Sequence, residues 1–137
     1  MGAALEDAFM GKMVAVYIAA LVAMLVPDAG WLGIMGPNLY KPALGDMMAT
    51  NFSPVPAVLF YLLYVAGLTY FSNGDSIASS AAKGAFFGLC AYGTYDLTNN
   101  ATLRNWPAYL TVADLAWGTI LSGFAAGVAA WVRVKLA

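Results

Sequence analysis

The sequence contains no histidine and a single cysteine, Cys90. Without an imidazole the chain cannot assemble a Ser-His-Asp or Cys-His catalytic set, a histidine-ligated haem or the usual zinc sites, and one thiol cannot close an internal disulfide. Charge is scarce as well, at 9% of residues, with six Lys and Arg against seven Asp and Glu. So few cations cannot neutralise the phosphates that a nucleic-acid-binding protein must contact, which excludes DNA and RNA as partners. Heptads and internal repeats are also missing. What fills the chain instead is apolar: 62% of its 137 residues are hydrophobic, where a soluble domain carries about 45–50%. This is the composition of an integral membrane protein with one domain.

A helix that crosses ~30 Å of hydrocarbon at 1.5 Å per residue needs ~20 apolar residues. Four stretches meet that length, at about 9–35, 54–71, 80–97 and 107–131. They predict an all-α, polytopic bundle of four transmembrane helices forming a single domain over 1–137. Pro27 is expected to kink the first helix. Between the first two helices, "YKPALGDMMA" places Leu44, Met47 and Met48 at helical spacing, which predicts a short interfacial helix there. The apolar run Met13 to Val26 has the length of a signal-peptide core. Glu6 and Asp7 stand where such a peptide is basic, however, and Pro27-Asp28 spoils a small-residue cleavage site.

Four spans put both termini on one side of a multi-pass protein of the cell inner membrane. That side carries Lys12, Lys83, Arg133 and Lys135, and the other carries Lys41 and Arg104. Positive residues are retained in the cytoplasm, so both termini are expected there.

Charged side chains within a bilayer cost at least ~2.5–3.5 kcal/mol on insertion scales, which makes intramembrane acids candidates for function. Asp28, Asp96 and Asp114 are such acids. Counted from the cytoplasmic cations they lie ~24, ~20 and ~28 Å deep, in one band near the outer surface. The same band receives Trp31 and Tyr40 after the first helix, and Tyr61 and Tyr64 from the second. Tyr92 and Asn99 of the third helix, Arg104 of the following loop and Trp117 of the fourth complete it. Together these residues are expected to line an outward-facing pocket for a polar headgroup or small amphipathic ligand, with apolar helices below to hold a tail.

Each acid also has a structural explanation. Thr111-Val112-Ala113-Asp114 reads as a capping box at the start of the fourth helix. Asp28 can bind backbone groups freed by Pro27. Asp96 lies near a helix C-terminus, where the dipole disfavours an anion, and calls for a partner such as Arg104. The GxxxG segments Gly84 to Gly88 and Gly123 to Gly127 allow close helix packing, either inside the bundle or in a homodimer or larger membrane complex.

The stretch "GLCAYGTYDLTNNATLRNWPAYLTVADLAWGTILSG" resembles a family of small bacterial integral membrane proteins, domain-of-unknown-function family 2177. "PDAGWLG", "LYKPALGDMM" and "PAVLFYLLYVAGLTYF" resemble it too, in the same order, so that nearly the whole chain is covered. The most specific element is Tyr95 to Asn99, "YDLTN", followed by Trp106-Pro107 and by Asp114, Ala116, Trp117, Gly118 and Thr119. The resemblance implies four membrane helices and no established activity.

Three functions remain in competition. The first is binding of a membrane lipid or small amphiphile in the outer pocket. The second is a structural or accessory subunit of a larger membrane complex, which predicts a side-chain partner for every acid and no pocket. The third, an ion or proton pathway, is weaker because the cytoplasmic half has almost no polar residues to continue it. No residue pattern requires a cofactor; an enzyme working by paired carboxylates and an oxygen-ligand site for Mg²⁺ or Ca²⁺ both stay open, and neither has a diagnostic motif here.

Overall fold

Small or apolar residues at four-residue spacing decide how this chain packs. The structure, a computed structural model describing residues 2–137, is built from helices and connecting turns. Helix α1, Gly2–Met35, buries Val16, Ala20, Ala23 and Met24, and the same stripe continues to buried Asp28. Pro27 lies inside α1, and the helix runs on through it.

Beyond Met35 the path widens into a π-helical turn, Gly36–Tyr40, and then continues as α2, Lys41–Leu44, and a 3₁₀ turn, Gly45–Met47. Two features explain the widening. Pro37 has no N–H for the ladder, and the Asn38 side-chain amide donates to the Ile34 carbonyl at 2.6 Å. Gly45, at φ 52°, occupies a backbone region that glycine tolerates, next to the end of the helical path. The segment expected to be a separate interfacial helix is thus helical, but continuous with α1 as part of one 46-residue path, Gly2–Met47.

Helix α3 spans Pro54–Phe71, as expected, with proline at its start where a missing N–H is harmless. Helix α4 spans Ile77–Thr102 and is longer than expected at both ends. Its start is capped by Ser76, whose hydroxyl accepts from the Ser79 N–H at 3.0 Å. Helix α5 spans Ala108–Lys135, with Pro107 at the cap position. Thr111 and Asp114 therefore lie inside the helix and not at its cap, which overturns the capping-box reading.

Helices α4 and α5 make the most intimate pair. On α4 the stripe Ser80, Gly84, Gly88 faces α5, and a Cβ at Gly84 would strike Ala126 and the Ser122 carbonyl. A Cβ at Gly88 would strike the Gly118 carbonyl and Ser122, and one at Gly118 would fall on the Tyr92 ring. Gly123 lies equally close to Ala81 and Ala85. Both GxxxG segments thus contribute to packing within the chain. Helix α5 sits at the centre, with Leu121, Ala125, Ala126 and Ala129 in the core beside residues of α1 and α3.

The turn "SNGDS" between α3 and α4 is a junction for one end of the bundle. The Asn73 carbonyl accepts from Lys83 at 2.9 Å, and its side-chain oxygen accepts from Arg133 at 2.6 Å. Three helical stretches, Gly2–Met47, Pro54–Phe71 and Ala108–Lys135, are long and apolar enough to cross a membrane. Helix α4 is diluted by Ser79, Ser80, Lys83, Thr94, Asp96, Thr98 and Asn99, and covers part of that polarity against α5.

Candidate functional site

The stripes that build the core also deliver its polar groups. Four residues beyond Met24 on α1 comes Asp28, and four beyond Leu110 on α5 comes Asp114. On α4 the run Ser80, Gly84, Gly88, Tyr92 leads to Asp96. All three acids are buried, Asp28 and Asp114 at 6% exposure and Asp96 at 0%.

Asp28 accepts one hydrogen bond at each oxygen, from the Tyr61 hydroxyl of α3 and, at 2.8 Å, from the Trp117 indole of α5. Three helices are therefore tied at one carboxylate. The Trp117 ring stacks on Trp31 of α1 with centroids 4.5 Å apart and planes within 6°. The Trp31 indole donates at 3.0 Å to the Tyr40 hydroxyl, which itself donates to Asp114. The π turn serves this contact, because it carries Tyr40 back over the end of the bundle onto α5. Tyr64 is tied to Ser122 at 2.7 Å, a partner that sequence reasoning did not single out.

Asp96 is different. Its acidic neighbour is Asp114, and no N–H or hydroxyl of the described residues donates to either of its oxygens. Arg104, its expected partner, is exposed in the α4–α5 turn, so the expected pair does not form. The Trp106 indole and the Asn100 amide go instead to Thr111, at 3.0 and 3.4 Å.

Between these groups lies a cavity of about 510 Å³, within the ~300–1,000 Å³ usual for small-molecule sites. Of the residues the sequence singled out, Asp28, Tyr40, Tyr61, Tyr64, Tyr92, Asp114 and Trp117 line it. Trp31 supports it from behind through Trp117 and Tyr40. Asp96, Asn99 and Arg104 are not in its wall. Leu32, Phe60, Ala91 and Tyr95 join the lining, and of these only Tyr95 stood out in the sequence, as the first residue of the YDLTN element.

The cavity lies between α3 and α4, against α1 and α5. On the side of the α3–α4 turn the Phe87 ring of α4 packs against Phe71 at 6.0 Å and Tyr64 at 5.3 Å. Towards the other end Phe60 and Tyr95 flank the cavity and remain 42% and 59% exposed. Among the described residues no group of His, Cys, Asp and Glu is arranged to hold a metal ion.

Several long apolar helices around a core that continues into a buried polar cluster define an all-helical integral membrane protein. The family model described as "Predicted membrane protein (DUF2177)" matches residues 13–131, and the chain belongs to that family. No curated protein and no solved structure matches the chain.

Proposed function

We propose that this protein is a four-span protein of the cell inner membrane that binds a lipid or another small amphiphile in the cavity between α3 and α4. The observation that carries the reading is the cavity itself, lined by two acids, five tyrosines and a tryptophan together with Leu32, Phe60 and Ala91. Its accessible wall is mostly apolar with the two acids set into it, which suits a largely apolar molecule that carries one polar group.

In this reading α4 is the fourth span, its polar residues turned partly against α5. Lys12, Lys83, Arg133 and Lys135 then mark the cytoplasmic end and the cavity faces the outer half of the membrane.

Native mass spectrometry from a mild detergent tests the proposal. The wild-type chain is expected to carry a copurifying amphiphile, and Ala91→Trp, which fills the cavity, is expected to lose it while melting at a similar temperature. A wild-type chain that carries none, or a variant that carries as much, contradicts the proposal.

A further inference from the structure

The geometry points to the chemical class of the ligand: we infer that the cavity takes an amphiphile with an ammonium head. This rests on the amphiphile reading above. The two acids in the cavity wall are Asp28 and Asp114. No Lys or Arg lines the cavity, and the nearest cations in sequence, Lys41 beside Tyr40 and Arg104 in the α4–α5 turn, are both exposed. A phosphate or carboxylate head would therefore meet like charge without a cation to offset it.

Hydrogen-bond donors are also short. Tyr40, Tyr61 and Trp117 already direct their O–H and N–H groups at the two carboxylates, and Tyr64 is engaged with Ser122. What these groups leave to the cavity is mostly the apolar surface of their rings. Aromatic faces next to carboxylates form the surroundings that an alkylammonium prefers, since the negative face of each ring and the acid both attract it. Behind Asp114 stands Asp96, fully buried and outside the cavity wall, so that the end of the bundle that faces the head group is acidic.

Such a head has two sources, a bilayer lipid with an amine headgroup or a free amphiphilic amine. The test titrates the purified protein in micelles of one uncharged detergent with octyltrimethylammonium, 1-octanol and octyl phosphate, following tryptophan fluorescence. Octyltrimethylammonium is expected to bind about tenfold or more tightly than octanol, the scale of a desolvated cation–π contact, and octyl phosphate more weakly than either. Asp28→Asn is expected to remove that preference, bringing octyltrimethylammonium binding down to the level of octanol binding in the same variant. Asp114→Asn gives the same readout if the first variant does not fold.

Octanol binding as tightly as the ammonium, or octyl phosphate binding best, overturns the ammonium assignment and leaves the amphiphile reading standing. Binding of none of the three overturns both. Displacement of octyltrimethylammonium by phosphatidylethanolamine supports a bilayer lipid as the source, and absence of displacement supports a free amine.

Discussion

Asp28 and Asp96 are buried at the same end of the bundle and have opposite surroundings. Asp28 satisfies Tyr61 and Trp117, so Asp28→Ala strands two donors, each at a cost of about 1–3 kcal/mol. Its melting temperature in detergent is expected to fall well below that of Asp28→Asn, which keeps an acceptor. Asp96 satisfies no donor, and Arg104 is free of it. Arg104→Gln is therefore expected to leave stability within about 0.5 kcal/mol of wild type, and Asp96→Asn to be neutral or stabilising, because it removes a buried group that is charged when ionised. A double-mutant cycle on the two is expected to show no coupling, and a clear coupling would restore the pairing that the sequence suggested. The sequence made these acids visible because an Asp in an apolar run stands out. It did not identify their partners, since Tyr61 and Trp117 lie 33 and 89 residues from Asp28 and reach it only through helix packing.

Helix identity was legible at the element scale from apolar length, and α3 was placed to the residue. Helix ends were less so. Thr111 and Asp114 have the spacing of a capping box, but Pro107 begins α5 a turn earlier, and both side chains serve contacts between helices. The extension from α1 into α2 was hidden because Pro37 and Pro42 suggest a break, whereas a π turn absorbs the first of them. The GxxxG spacing signalled close approach, and the structure shows that α4 and α5 use it against each other. Gly88→Ala is accordingly expected to destabilise by about 1–3 kcal/mol, because the added methyl meets the Gly118 backbone and Ser122. In the α4–α5 turn Asn105 has φ 70°, a left-handed conformation that asparagine accepts and β-branched residues resist. Asn105→Val is expected to cost about 1–2 kcal/mol and Asn105→Gly almost nothing, as read by thermal melting.

For the whole molecule, polarity is sorted by end. Lys83 and Arg133 gather on Asn73 at one end, while the acids and most of the ring hydroxyls of the cavity gather at the other. This sorting was readable by counting residues along each span. The apolar part of the cavity wall was not, since Leu32, Phe60 and Ala91 reach it only through helix packing. With the terminal end in the cytoplasm, a fluorescent reporter fused after Ala137 is expected to be active and an alkaline phosphatase fusion silent. The reverse pattern would turn the cavity towards the cytoplasm.

The central claim is that an amphiphile sits in that cavity, and photolabelling tests it most directly. A single-chain amphiphile with a diazirine in its tail is irradiated with the protein in uncharged detergent, and the labelled residues are mapped by peptide mass spectrometry. The account predicts label concentrated on Phe60, Tyr64, Ala91 and Tyr92 and lost from them in Ala91→Trp. Label spread evenly over the exposed Val55, Leu59 and Leu63 of α3, and unchanged in the variant, would contradict it.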